Sequence, residues 1–307
     1  MNNVIETIDL TRRFRRADAV DRLTLQVAVG SIFALVGPNG AGKTTTIKLL
    51  MNLIRPSRGS AFVLGMDSRQ LGPEQFRRIG YVSENQRLPD WMTPDQLLAY
   101  VKPFYPTWDE GLCQKLRADL GLTAAAPLRT LSRGTRMKAA LLSSLAYRPE
   151  LVVLDEPFTG LDPLVRDQLI HALLELTGEQ PLSVLVSSHD IEEIERLADW
   201  IGYIDAGRLV FSEPVASLLK RFRLIEVVST NGRVPVPPQR PEWLVQGLSG
   251  RTLRFVDTRH DEEDAAARIA TEFPNTDIRV SELSLREIFI ALARQSGTAA
   301  AVQAEAV

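Results

Sequence analysis

The chain has little of several things, and each shortage closes a door. Its 307 residues include one cysteine, Cys113, so no internal disulfide can form and a reducing compartment is expected. No run of ~20 apolar residues, the length a membrane helix needs, occurs. Lys48 and Asn52 interrupt Ile47 to Ile54, and Leu151 to Leu154 stops at Asp155. Met1 to Leu10 carries Glu6 and Asp9 and no apolar centre, which does not fit a secretory signal. The expected location is therefore cytoplasmic. Net charge is also scarce: 36 Lys plus Arg against 38 Asp plus Glu leave −2. That balance argues against broad electrostatic capture of nucleic acid, and no nucleic-acid partner is expected. What is present, 45% hydrophobic and 24% charged residues, is the composition of a globular protein.

Strand-like and helix-like segments alternate along the first two thirds. Leu23, Leu25, Val27 and Val29 alternate as a strand does, and Ile32 to Val36 is a continuous apolar run of the buried-strand type. A glycine-rich loop and a helix over about 43–53 follow. Between Pro89 and Leu145 the pattern is helical, with Thr93 as a cap and Pro94 in the first turn. Leu151 to Leu154 and Ser183 to Ser188 are further strands, each followed by a helix. Trp200 to Ile204 and Leu209 to Phe211 form a hairpin around Ala206 and Gly207. This order predicts an α/β fold with a largely parallel sheet and an antiparallel component. After about Lys220 the composition shifts. Pro235, Pro237, Pro238 and Pro241 make a stiff connector inside a small α+β region, and an Ala-rich tail follows. The expected division is residues 1–220 for the main module, 221–295 for the accessory domain and 296–307 for a frayed tail.

Two local patterns carry chemistry. Gly37-Pro38-Asn39-Gly40-Ala41-Gly42-Lys43-Thr44, with Thr45 next, fits G-x-x-x-x-G-K-[ST] between a buried strand and a helix. Glycines permit close approach of backbone N–H groups to phosphate, at a helix start that carries partial positive charge. Lys43 supplies an ammonium for the β and γ phosphates, and Thr44 a hydroxyl for Mg²⁺. The second pattern is a buried strand ending in Asp155 and Glu156. Asp155 is the expected Mg²⁺ carboxylate, and Glu156 the base that orients an attacking water.

With these in place the chain, over about Asn3 to Leu219, resembles the nucleotide-binding subunit of ABC transporters. The resemblance implies a P-loop ABC-type cassette with a mixed-sheet core and a helical subdomain at about 88–148. It identifies Leu131-Ser132-Arg133-Gly134-Thr135 with the signature segment, through which Ser132, Arg133 and Gly134 would touch an ATP held by a second subunit. Asp162, in Thr159-Gly160-Leu161-Asp162, corresponds to the loop that crosses the dimer interface. His189 corresponds to the switch histidine at the γ-phosphate, and Phe14 to the aromatic that stacks on adenine. Lys43, Asp155, Glu156 and His189 are all present, which argues for an active ATPase.

The pattern departs at two places. A glutamine is expected shortly after Ile79-Gly80-Tyr81-Val82, where the chain has Ser83-Glu84-Asn85-Gln86. Glu84 is assigned to that position as a third oxygen ligand for Mg²⁺, with Gln86 as the alternative. In the signature, Arg133 replaces a glycine and Thr135 a glutamine. Such variants are similar to exporter-type subfamilies whose membrane subunits are separate chains. The implied partners are an integral membrane permease and a second ATP-binding subunit, with Trp91 and Met92 as candidate permease contacts or, equally, core. A soluble switch acting on ribosomes or DNA is the alternative. One cassette per chain and no heptad run favour transport.

Overall fold

A computed structural model describes residues 3–295 except 16, 85, 124, 180, 230–239 and 262. The proline connector falls mostly outside the described residues, and the 296–307 tail entirely so. The chain divides into two compact units, Met1–Ser212 and Glu213–Val307.

The first unit opens with a long hairpin, β1 (Asn3–Phe14) and β2 (Ala17–Ala28), joined later by β4 (Arg58–Val63) and β5 (Met66–Asp67) in the order β2-β1-β4-β5. Burial alternates along it. Leu23, Leu25 and Val27 are buried while Thr24 and Gln26 face out, the period of two that a one-sided sheet demands.

The second sheet is built differently. β3 (Ile32–Val36) is buried along its whole length, as are β7 (Leu151–Asp155) and β8 (Ser183–Ser188). Strands covered on both faces need apolar side chains on both. With β6 (Ile79–Ser83), β9 (Trp200–Asp205) and β10 (Arg208–Pro214) the order is β10-β9-β3-β8-β7-β6. The pairs of β3 with β8 and β9, and of β7 with β6 and β8, are parallel. The carboxyl ends of β3, β7 and β8 therefore emerge side by side, where a ligand crevice forms in open α/β sheets. Helix α1 (Lys43–Leu50) follows β3. It packs with both sheets into one core that includes Leu10, Leu23, Phe33, Ile47, Leu50, Val153 and Leu185. The helix ends at Leu50 rather than near 53, because Asn52 adopts a left-handed φ of 55°.

The described helices between β6 and β7 are α3 (Pro94–Val101), α4 (Glu110–Asp119) and α5 (Arg133–Leu145), after a single turn α2 (Pro73–Phe76). Thr93 caps α3, its hydroxyl accepting from the Gln96 N–H at 3.2 Å, as the sequence pattern predicts. Tyr147 anchors the end of α5. Its ring stacks on Tyr105 at 3.7 Å, and its hydroxyl donates to Ile79 O at 2.7 Å. Helix α6 (Pro163–Glu179) links β7 to β8, and α7 (Ile191–Leu197) links β8 to β9.

The second unit begins at Glu213 and includes α8 (Val215–Arg221). Its sheet is antiparallel, in the order β12-β13-β11-β14, from β11 (Arg223–Ser229), β12 (Trp243–Ser249), β13 (Thr252–Asp257) and β14 (Thr276–Glu282). Helices α9 (Ala265–Glu272) and α10 (Leu285–Gln295) complete it. Trp243, Phe255 and Phe273 pack ring against ring, at 4.7 to 5.9 Å between centroids. β12, like β4 of the first unit, has no counterpart in the sequence analysis. A register shift between Val245 and Gly247 breaks the alternation of β12.

Backbone proximity makes one glycine a test of this packing. A Cβ at Gly80 would lie 2.6 Å from Ser144 O of α5, whereas one at Gly178 in α6 meets nothing within 4 Å. Gly80→Ala should cost about 1–3 kcal/mol in denaturant unfolding. Gly178→Ala should be neutral or stabilising by up to about 1 kcal/mol.

Candidate functional site

The loop from Gly37 to Gly42 turns between β3 and α1, with Lys43, Thr44 and Thr45 in the first turn of the helix. Its glycines serve different needs. A Cβ at Gly37 would collide with Ile204 O, and one at Gly42 with Ala19 O. Gly40 has open space, but its φ of +82° belongs to glycine. Ala41 O accepts from the Gly207 N–H at 2.9 Å, and Gly207 O from the Asp21 N–H at 2.8 Å. The β9–β10 turn thus ties the loop to β2. The start of α1 has no side-chain cap and no acid in its first turn. Its positive end is therefore left to an anion from outside the chain.

Lys43 is buried. Its ammonium donates to Gly37 O at 2.6 Å and lies 3.2 Å from Glu156 Oε1. The other Glu156 oxygen is 2.7 Å from His189 Nδ1 and accepts from the Thr159 hydroxyl at 3.2 Å. Glu156 and His189, 33 positions apart in the chain, thus meet. Burial pushes the Glu156 carboxyl up, but the His189 hydrogen bond and the Lys43 charge outweigh it. The group sits below its ordinary range.

Adjacent residues on a strand point to opposite faces, yet Asp155 and Glu156 serve one site. The reason is backbone. Glu156 has φ +52°, the left-handed region, which costs a non-glycine residue about 1–2 kcal/mol. Asp155 Oδ1 accepts from the Thr44 hydroxyl at 3.0 Å and the Ser187 hydroxyl at 2.7 Å. Ser187 Oγ also accepts from the Glu156 N–H at 3.0 Å. This one hydroxyl, at the end of β8, holds both acids. Sequence reading passed over it, and its place two residues before His189 at a strand end is the signal that marks it. Burial, together with the Glu156 charge, pushes the Asp155 carboxyl up in spite of its two hydroxyl donors. A buried carboxylate with a hydroxyl beside it suits a hard divalent cation through oxygen ligands, so Thr44 and Asp155 fit Mg²⁺.

Glu84 does not join that pair. Its N–H donates to Asp155 O at 2.8 Å, but its carboxylate turns to Arg133, whose Nη2 is 3.0 Å away. The carboxylate expected as a metal ligand is thus paired with a guanidinium of the same chain. Gln86, the alternative, bonds instead to the Ser83 N–H at 3.4 Å. Ser132 caps α5, its hydroxyl accepting from the Thr135 N–H at 3.1 Å, and Gly134 packs on Val165. Asp162 Oδ1 accepts from the Val165 N–H at 3.0 Å at the start of α6. Phe14 lies at the tip of the first hairpin, exposed, with the Arg12 guanidinium 4.5 Å over its ring. Trp91 is 65% exposed and Met92 partly buried. Of the two readings for Trp91, surface and core, it takes the surface.

A phosphate loop and an acid pair at the ends of parallel strands define a P-loop nucleoside triphosphate-binding protein. Comparison with known proteins narrows the class. Residues 20–159 match the ABC transporter family. The chain is 32% identical over 225 residues to the bacitracin transport ATP-binding protein BcrA of Bacillus licheniformis, covering 73% of this chain and 74% of that one. It is 32% identical over 245 residues to an uncharacterised ABC transporter ATP-binding protein of Synechocystis, covering 75% and 68%. Among solved structures, an ATP-binding subunit of an ABC transporter superposes with a TM-score of 0.63 at 27% identity, over 70% of this chain and 91% of that one. The dimeric structure of a bacterial ABC transporter cassette gives 0.62 at 22%, over 69% and 98%, a likeness of fold. The chain belongs to the ABC transporter ATP-binding proteins.

Behind His189 lies a second carboxylate that sequence reading did not single out. Glu193 is buried, accepts from the Ser188 hydroxyl at 3.0 Å and lies 3.0 Å from Arg166 Nε. Burial, reinforced by Asp190, pushes it up to about 7. The folded chain therefore keeps this proton in a range where an unfolded chain has lost it. The stability it supplies is full below about pH 4.3 and lost as pH rises through 7. Relative to Glu193→Gln, the parent should lose up to roughly 3 kcal/mol between those limits. Parallel unfolding profiles from pH 4.5 to 7.5 would contradict this.

Proposed function

We propose that the chain is the ATP-hydrolysing energy subunit of a transporter, and that it works as a dimer beside a separate integral membrane permease. The observation that carries this is the line Lys43–Glu156–His189 beside the Thr44–Asp155 pair. An ammonium, a carboxylate and an imidazole meet there at the carboxyl ends of adjacent strands.

In this reading the ATP phosphates lie against the Gly37–Gly42 loop and the uncapped start of α1, with Phe14 offered to the base. Lys43 exchanges its Glu156 partner for the β and γ phosphates. Glu156, released from the ammonium but still held by His189 and Thr159, orients the attacking water and accepts its proton. A carboxyl held below its ordinary range is ionised at neutral pH and ready for that task. Mg²⁺, held by Thr44 and Asp155, would neutralise phosphate charge. Ser132 and Gly134, at the start of α5, present a hydroxyl and a positive helix end to a nucleotide on the second subunit. Asp162 lies in the loop that would cross between subunits. Closing around ATP and reopening after hydrolysis is then the work stroke.

The permease contact is assigned to the segment after Glu84. Exposed Trp91 lines a cleft of about 880 Å³ with Leu88, Arg129 and Arg136. The direction of transport is taken as export. That direction follows the resemblance to exporter-type subfamilies; the bacitracin transport relative, and a probable multidrug ABC transporter ATP-binding protein of Escherichia coli that is 34% identical over 215 residues (68% of this chain and 37% of that one), support the transport role itself.

Glu156→Gln should retain Mg-ATP binding and lose turnover by about 10²–10⁴, leaving an ATP-bound dimer visible by size exclusion. Turnover at the parent rate would remove Glu156 as the base. Lys43→Ala should weaken ATP binding by about 1.5–3 kcal/mol, on the order of 10- to 150-fold. Unchanged affinity in equilibrium titration would contradict the assignment.

A further inference from the structure

The two positions at which this chain departs from its family's pattern meet in space. Arg133 stands where a glycine is expected and Glu84 where a glutamine is. They are 49 residues apart, and Nη2 of one lies 3.0 Å from Oε1 of the other. A glycine has no side chain to make this contact, and an amide could accept the hydrogen bond but would bring no charge.

The guanidinium touches a third segment as well. A Cβ at Gly160 would lie 3.3 Å from Arg133 Nη1, 3.4 Å from Cζ and 3.5 Å from Nε. The plane therefore lies over Gly160, in the turn between Glu156 and α6. One side chain at the start of α5 thus reaches the loop after β6 and the turn after β7, at whose start the site's two acids lie. Toward Asp155 the path is short, because Glu84 binds Arg133 through its carboxylate and Asp155 O through its N–H at 2.8 Å. Toward Glu156 it runs through Gly160 to Thr159, whose hydroxyl donates to Glu156 Oε2 at 3.2 Å.

We propose that Glu84 and Arg133 act as one positioning element, which ties the start of α5 to the loop after β6 and the turn after β7 and sets the geometry of Asp155 and Glu156. This rests on the ATPase reading above. Both side chains are partly exposed, 32% for Glu84 and 40% for Arg133. Exposed pairs contribute little to stability, so the element's effect falls on placement of the acids rather than on folding. While paired, the Glu84 carboxylate is committed to Arg133 and not to the metal.

The test uses four full-length chains: the parent, Glu84→Arg, Arg133→Glu and the double exchange. The measurements are kcat and KM for Mg-ATP, equilibrium binding of a fluorescent ATP analogue, and amide hydrogen exchange in residues 156–161 without nucleotide. Each single reversal should lower kcat by at least about tenfold, as expected when geometry at a reacting centre slips. Affinity for the fluorescent analogue, measured at chain concentrations too low for a second subunit's signature segment to close on it, should stay within about twofold of the parent, because the phosphate loop is untouched. The double exchange should recover kcat to within about threefold, and exchange in 156–161 should rise in both single variants and fall back in the double. Single variants with the parent's kcat would overturn the proposal, as would a double no better than the singles. A parent chain without ATP turnover would remove the ATPase reading and the kinetic arm together. Hydrogen exchange then decides: rescue in the double upholds the pair, and unchanged exchange in the singles overturns it.

Discussion

The site depends on one buried ion pair. Lys43 and Glu156 lie 3.2 Å apart with side chains 5% and 10% exposed. Burying either charge alone would cost several kcal/mol. Each therefore needs the other, or a substitute of the same sign. A phosphate group is such a substitute for Glu156, since it offers Lys43 anionic oxygens at the same place. The pair holds the site in a form where the ammonium is neutralised and the Glu156 carboxylate is restrained. In the proposed mechanism the nucleotide's arrival rearranges both at once. Binding and activation of Glu156 become, in that mechanism, one event, because the phosphate that takes the lysine also frees the carboxylate.

The surrounding fold holds that pair in register. Three fully buried parallel strands bring Val36, Asp155 and Ser188 to a common edge. The left-handed Glu156 then turns the second acid to the same side as the first, at a local cost that the neighbouring strands absorb. Ser187 fixes the outcome by bonding to both acids, and His189 and Thr159 share the remaining Glu156 oxygen. The lysine has a complementary restraint in Gly37 O. Strain at Glu156 and crowding at Gly37 and Gly42 lie within one small region, where residues held against their preferences mark functional geometry.

How much of this was legible in the sequence follows from the range of each interaction. The phosphate loop was readable because its chemistry is carried by eight consecutive residues between a strand and a helix. The acid pair was readable because a run of apolar residues ending in Asp155 and Glu156 is a local feature too. Pairings across the chain were not. Ser187 is one serine of several until β8 is laid beside β7, and Glu193 with Arg166 is an unremarked acid and base until α6 and α7 pack. Glu84 was legible as a departure but not as a partner for Arg133, since nothing local links residues so far apart. β12 escaped because its bulge breaks alternation, and α1 was read too long because Asn52 gives little sign of a left-handed turn.

The second unit, with its own aromatic core, is a separate packing solution, and the chemistry described here makes no use of it. The account stands or falls on the Lys43–Glu156 competition. Its most direct test is equilibrium binding of a non-hydrolysable ATP analogue with Mg²⁺ to the parent and to Glu156→Gln, under identical salt and pH. If the carboxylate competes with phosphate for Lys43, removing its charge should tighten binding by roughly 3- to 10-fold, about 0.7–1.4 kcal/mol. Equal or weaker binding by Glu156→Gln would contradict the account.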